Sequence, residues 1–214
     1  MSNKKIWNYW SSRYERLWMQ KYSLSVTREA VLSTIAKYRA EKWKKLLDIG
    51  CGTGQLLTDI EQRFGKNISL LGIDYSQGMI DIAEQKSTAA RFLLKDVGEL
   101  LSIGERFDII TCTHSLPYYE NQQKAVRDMT TLLEEDGLLI LAHGSVNNRY
   151  DKIAFTLTKT TTGKAKYLSK REVISLCNPD LVIQDMFVIR VRRWMPTILV
   201  SVFRKRRKDA DSVD

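Results

Sequence analysis

Three acids and a run of glycines stand at spacings that could bind a small ligand. In Leu46-Leu47-Asp48-Ile49-Gly50-Cys51-Gly52-Thr53-Gly54, a short apolar run passes into a GxGxG loop. Glycines in such a loop let the backbone turn sharply and let a ligand approach without meeting a Cβ atom. The loop opens a helical stretch, whose first amides have no partner within the helix. Asp74 ends Leu71-Gly72-Ile73-Asp74-Tyr75-Ser76. It lies about 20 residues past the loop, where a carboxylate can accept hydrogen bonds from both ribose hydroxyls. Asp96, in Phe92-Leu93-Leu94-Lys95-Asp96-Val97, follows a third apolar run and could accept from an adenine amino group.

The loop's details narrow the ligand. It has no Gly-Lys-Ser/Thr ending, so it is not a P-loop, and Gln55 stands where a dinucleotide loop would carry its third glycine. Asp48 sits two residues before Gly50. A carboxylate there repels a pyrophosphate and suits a ligand with positive groups. S-adenosylmethionine (SAM) has an ammonium, a sulfonium and no phosphate. The set therefore favours SAM, with S-adenosylhomocysteine (SAH) as product, over a nicotinamide dinucleotide.

These residues need a scaffold that brings strand ends together. From Lys45, short apolar runs alternate with helical stretches. The runs are Leu46–Ile49, Ile68–Ile73, Ala90–Leu94, Phe107–Cys112 and Leu138–Ala142. Between them lie helical stretches at Gln55–Phe64, Gln77–Gln85 and Gln122–Leu133, with a shorter link at Glu99–Ile103. This alternation predicts a parallel sheet with helices on both faces and right-handed crossovers. Upstream, Trp7, Trp10, Tyr14, Leu17 and Trp18 recur at helical spacing, and residues 27–42 continue as a second helix. Residues 145–168 are polar, Thr- and Lys-rich and aperiodic. Ser169-Lys170-Arg171-Glu172 then reads as a capping box opening a helix to about Cys177. Leu181–Val191 and Pro196–Phe203 are too close together for a crossover helix and read as an antiparallel hairpin.

The ordered motifs resemble the class I SAM-dependent methyltransferase family. They are Leu46–Gly54, Leu71–Ser76 with Met79, Phe92–Val97, Phe107–Ile110 and Leu133–Ile140 around Gly137. The pattern is similar to that of small bacterial methyltransferases related to the ubiquinone and menaquinone type. Glu135-Asp136-Gly137 departs from a common Pro-Gly-Gly and should alter only a turn. The resemblance implies a doubly wound, mostly parallel seven-stranded sheet with a C-terminal antiparallel strand and an N-terminal helical cap. It also implies that Gly50, Cys51, Gly52 and Gly54 lie at the cofactor with Asp48, that Asp74 binds ribose, that Asp96 and the Val97 amide bind adenine, and that Tyr75 and Met79 flank its ring. The expected organisation is a helical cap over 1–44, a SAM-binding core over 45–144, a substrate-side insertion over 145–168, a helix and hairpin over 169–204 and a tail over 205–214.

Methyl transfer from a sulfonium is an in-line displacement, so alignment and exclusion of water supply most of the catalysis. A general base is needed only where the acceptor must lose a proton. Ligands in such sheets bind outside the carboxyl ends of the strands, where His114 and His143 both fall. His114 is the candidate for contact with cofactor or acceptor and for a base. Tyr118 and Tyr119, past Pro117, are candidates to line the acceptor mouth, with His143 and, from the N-terminal stripe, Tyr14. Ordinary loop hydrogen bonding and packing are the competing readings for each.

Composition bounds the partners. The 214 residues carry a net charge of +9, with basic flanks around an acidic middle. The flanks and Arg204-Lys205-Arg206-Arg207-Lys208 fit RNA methylation as an alternative, and a Trp-rich basic helix fits a lipid or quinone acceptor at a membrane surface. Against RNA, no nucleic-acid module is appended, and Thr113-His114-Ser115-Leu116 replaces the Asn/Asp-Pro-Pro-Tyr/Phe of amino-methylating enzymes. A non-catalytic SAM-binding subunit is the non-enzymatic alternative. Three scattered cysteines, Cys51, Cys112 and Cys177, read as reduced thiols of a cytoplasmic protein, with no metal site expected. The leading expectation is a small-molecule methyltransferase.

Overall fold

The computed structural model describes residues 23–38, 43–65, 67–86, 89–162, 165–177, 179–190, 192 and 195–206. The aromatic stripe of residues 5–20, with the candidate Tyr14, lies outside the described residues, as does the end of the basic tail.

The chain alternates strand and helix as expected. Helix α1 (Ser25–Tyr38) leads into β1 (Lys45–Ile49), α2 (Gln55–Phe64), β2 (Ser69–Asp74), α3 (Gln77–Lys86) and β3 (Ala90–Leu94). A 3-10 segment (Val97–Ile103) replaces the next crossover helix before β4 (Phe107–Thr113). Then follow α4 (Gln122–Leu132), β5 (Leu133–Gly144), α5 (Arg149–Thr162), α6 (Lys170–Cys177), β6 (Leu181–Ile189) and β7 (Ile198–Lys205).

The seven strands among the described residues join one sheet in the order β3-β2-β1-β4-β5-β7-β6. Strands β1 to β5 are parallel, and β7 runs antiparallel to both neighbours. The hairpin of β6 and β7 is present, and β7 inserts between β5 and β6. Apolar residues alternate across the sheet because successive side chains point to opposite faces. Leu47, Ile49, Ile110, Leu139 and Leu141 pack on one face with Val126 and Met129 of α4 and Val173 of α6. Leu46, Ile109, Leu138 and Ile140 pack on the other with Val31 and Ile35 of α1 and Leu57 and Ile60 of α2. Each such side chain, fully buried, contributes roughly 1.5–3 kcal/mol.

Two local expectations change. Residues 145–168, read as aperiodic, contain α5. Its first turns bury Asp151 and Phe155, one of them a carboxylate, so no apolar period marks the helix. Strand β5 begins at Leu133 rather than Leu138, with a bulge that lifts Glu134–Gly137 out of register against Phe107 and Ile109 of β4. The capping box before α6 forms as expected: the Ser169 amide and hydroxyl both donate to Glu172 Oε2, at 2.8 and 2.7 Å.

Candidate functional site

Sheet order reverses between β1 and β4, and a crevice opens there at their carboxyl ends. Asp48, Gly50, Cys51, Gly52 and Thr53 line it from the β1 side, Thr113 and His114 from β4, and Leu24, Thr27 and Arg28 from the start of α1. Ligands of open α/β sheets bind at such reversal points.

The glycine loop is pinned to β2. Gly50 and Cys51 amides donate to the Ile73 carbonyl at 2.9 and 3.0 Å. The Gly52 amide donates to Asp74 Oδ2 at 3.0 Å, and the Ser76 amide donates to Asp74 Oδ1 at 2.9 Å. Asp74 thus shapes the loop, and each of its oxygens keeps a further lone pair. Burial raises its carboxyl above the usual range, against the pull of the Ser76 and Gly52 amides.

Asp48 is 1 % exposed. Its Oδ1 accepts from the Thr111 hydroxyl at 2.7 Å, while its Oδ2 is buried without a partner among the described residues. Burial, opposed by the Thr111 hydrogen bond and reinforced by the Asp74 charge, raises its carboxyl from the usual 3.8 to about 7. A buried carboxylate with a bare oxygen is costly unless a cation or donor meets it. The crevice therefore fits a positively charged ligand and disfavours a phosphate.

The adenine-side candidates lie around the ends of β2 and β3. Tyr75 is half-buried and Met79 is buried in α3. Asp96 is exposed and caps the 3-10 segment, its Oδ1 accepting from the Gly98 amide at 2.8 Å, next to the half-buried Val97.

His114 lines the crevice with a left-handed backbone, φ 59°. Its Nε2 lies 3.0 Å from the Thr27 hydroxyl of α1. Burial, with the His143 charge adding, lowers its pKa to about 4, so the ring is neutral at pH 7.

Two expected acceptor contacts need correction. His143 is completely buried on β5; its Nδ1 donates to the Gly144 carbonyl at 2.8 Å, and it is not among the crevice residues. The Tyr119 hydroxyl turns inward and donates to Ser115 Oγ at 2.8 Å. Tyr118 is half-buried, its hydroxyl 3.4 Å from that of Tyr167, whose ring stacks on Phe155 of α5 at 4.0 Å. Arg204 and Lys205 of the basic run lie at the opposite end of the sheet from the crevice, donating to the Asp136 and Leu133 carbonyls at 2.9 and 2.7 Å.

Several supporting residues carried no sequence signal of their own. Thr111 and Thr27 act through partners far away in the chain. Gly72 is needed for close approach: a Cβ there would lie 2.8 Å from Leu57 and Phe92 and 2.9 Å from Cys51 Sγ, directly beneath the loop.

A sheet of this order with this crevice defines a class, and the comparison with known families agrees. A family model described as a methyltransferase domain matches residues 40–187, and the chain belongs to that family. Among curated proteins it is similar to the ubiquinone biosynthesis O-methyltransferase of Coxiella burnetii, 29% identical over 120 residues, covering 54% of this chain and 49% of that protein. It is also similar to the ubiquinone/menaquinone biosynthesis C-methyltransferase of Campylobacter jejuni, 26% identical over 118 residues, covering 53% of this chain and 50% of that protein. The chain thus spans about half the length of the curated relatives it matches. Among solved structures, the N-methyltransferase NodS of Bradyrhizobium japonicum in complex with SAH shares the fold, with a TM-score of 0.75, 16% identity and coverage of 97% of this chain and 100% of that one.

Proposed function

We propose that this protein is a SAM-dependent methyltransferase acting on a small-molecule acceptor. The observation that carries the reading is Asp48: a buried carboxylate in the crevice, one oxygen bare among the described residues, beside a glycine loop at the reversal point of the sheet. Asp48 would meet the positive end of SAM. Gly50, Cys51, Gly52 and Gly54 would lie along it, and Asp74 would accept from the ribose hydroxyls. Tyr75 and Met79 would flank the adenine, with Asp96 and the Val97 amide at its edge. Bound SAM supplies an electrophilic methyl group on a sulfonium that leaves as a neutral thioether.

The chain's own contribution is alignment and the exclusion of water. His114 serves as a neutral hydrogen-bonding group, held by Thr27 and tying the floor of the crevice to α1. Tyr118 and Tyr167, whose hydroxyls lie 3.4 Å apart, are assigned to the acceptor side. Because the curated relatives are named for quinone biosynthesis, hydroxylated aromatic rings are the first acceptors to assay. Arg204 and Lys205 hold β5 carbonyls away from the crevice, which weighs against phosphate contacts by that run.

Calorimetry with SAH tests the reading. Wild type should bind, and Asp74→Ala should lose at least about tenfold in affinity, since charge-assisted hydrogen bonds contribute roughly 1.5–3 kcal/mol each. Unchanged binding in that variant would remove the ribose assignment. Radiolabelled methyl from SAM should enter the low-molecular-weight fraction of a cell extract; label confined to RNA would overturn the acceptor class.

A further inference from the structure

Buried Cys112 and half-buried Ser115 and Tyr119 form a cluster of thiol and hydroxyl groups below the glycine loop, and nothing in the chemistry above uses it. The Ser115 hydroxyl donates to the Ile49 carbonyl at 2.9 Å. The Tyr119 hydroxyl donates to Ser115 Oγ at 2.8 Å, and Cys112 Sγ lies 3.1 Å from the same oxygen. Ser115 has one proton, committed to Ile49, so it can only accept from its other two neighbours. Burial pushes the Cys112 thiol up to about 11 and the Tyr119 hydroxyl well above its ordinary value, so both keep their protons at neutral pH. The cluster therefore has one direction, from Tyr119 and Cys112 through Ser115 to Ile49.

Ile49 is the last residue before the loop. The Ile49–Gly50 peptide is gripped at both ends, its carbonyl by Ser115 and its N–H by the Ile73 carbonyl of β2. Gly50 leaves that peptide with φ +72°, and a Cβ there would lie 2.5 Å from the Ser115 Cβ. The fit is close enough that only glycine suits the place. On the β4 side, His114 adopts a left-handed conformation that non-glycine residues rarely take, and its amide donates to the Ala142 carbonyl at 2.6 Å. Such strain persists only where neighbours over-determine it. Its local effect is to turn the chain at the end of β4 so that the next residue reaches under the loop.

We infer that Ser115 is a positioning residue for cofactor binding, acting through the Ile49–Gly50 peptide to hold the glycine loop in its receiving shape. The inference rests on the functional reading above, because it takes that loop to be the SAM-binding element. Without the hydroxyl, the Ile49 carbonyl loses its partner and the first loop peptide can rotate. Apparent affinity then falls with the fraction of molecules whose loop is competent.

The test is SAH calorimetry combined with amide hydrogen exchange on wild type, Ser115→Ala and Tyr119→Phe. Ser115→Ala should bind SAH about tenfold more weakly, as expected for the loss of one directed hydrogen bond. Exchange should quicken at the Gly50, Cys51 and Gly52 amides while the β4 and β5 amides keep their protection. Tyr119→Phe, which removes only the donor behind Ser115, should show the same local signature with about a threefold loss. If Ser115→Ala does not fold, Tyr119→Phe alone decides. Binding within twofold of wild type, or a loss accompanied by faster exchange throughout the sheet, overturns the inference. A wild-type protein that ignores SAH overturns the functional reading as well, which separates the two failures.

Discussion

Asp48, near the carboxyl end of β1, and Asp151, in the first turn of α5, are 1% and 0% exposed. Asp151 accepts from the Thr197 amide and hydroxyl at 3.1 and 2.8 Å and from the Asn147 amide at 3.3 Å. Among the described residues, Asp48 accepts from Thr111 alone and keeps one oxygen bare. Other polar side chains that meet the 145–168 segment are engaged too: the Ser145 hydroxyl donates to the Leu168 carbonyl, and the Gln122 amide donates to the Leu116 and Lys166 carbonyls. The difference separates two uses of a buried acid. On the 145–168 side, side-chain polarity is satisfied internally and fastens an irregular segment to the strand ends. On the glycine-loop side, one carboxylate oxygen is left without a partner among the described residues, facing the crevice.

The largest expected effect breaks the anchoring half of that contrast. Asp151→Ala takes the acceptor from the Thr197 and Asn147 amides, while the Thr197 hydroxyl keeps the Ser145 carbonyl at 3.1 Å, and each buried group left unsatisfied costs roughly 1–3 kcal/mol. A total near 3 kcal/mol should lower Tm by roughly 6–12 °C in a chain of this size. Thermal unfolding measures it, and SAH affinity should stay within twofold of wild type; a large loss of affinity would make Asp151 part of the binding site.

Asp48→Asn should do the reverse, weakening SAH binding about tenfold while leaving Tm level or higher. Its pH dependence sharpens the point. The Asp48 carboxyl ionises at 3.8 in the unfolded chain and near 7 in the folded one, so between those values the folded state binds the extra proton. Its contribution to stability is then fully present below about pH 4, declines as pH rises, and levels off above about 7. SAH affinity should move in the opposite direction, rising through pH 7 as the carboxylate ionises. Both slopes should flatten in Asp48→Asn, as read by calorimetry and urea unfolding across pH 5–9; an unaltered affinity profile would remove Asp48 as the cation's partner.

The smallest effect concerns a third carboxylate, exposed Glu172 at the capping box. The hydrogen bonds from the Ser169 amide and hydroxyl hold its carboxyl below the usual range. Glu172→Ala should cost about 1 kcal/mol, or roughly 2–4 °C in Tm. A drop as large as that of Asp151→Ala would show that burial is not what sets the two acids apart.

The glycine-loop half was legible in sequence because its signals are local. A strand-end acid, an unusual density of glycine and a 20-residue interval to the next acid are readable one segment at a time. The 145–168 half was not. Helix α5 is rich in threonine and buries an acid at the first position where an apolar residue would mark its face. Tyr119 was expected at the acceptor mouth because it lies past Pro117, and His143 because it follows the fifth strand, but residue number alone does not tell which way a side chain turns. Ser115 could not be singled out either, since its partner Ile49 lies 66 residues away.

The position of β7 bears on how the chain is made. A ribosome that has delivered everything through β6 has produced six strands, yet a slot remains between β5 and β6 for Ile198–Lys205. Until that segment emerges, Leu138–Gly144 present an open row of backbone groups on an apolar strand, the kind of edge that invites pairing with another chain. Sheet closure therefore waits for β7, and delay between Ile189 and Ile198 prolongs the interval in which the nascent protein is vulnerable to aggregation.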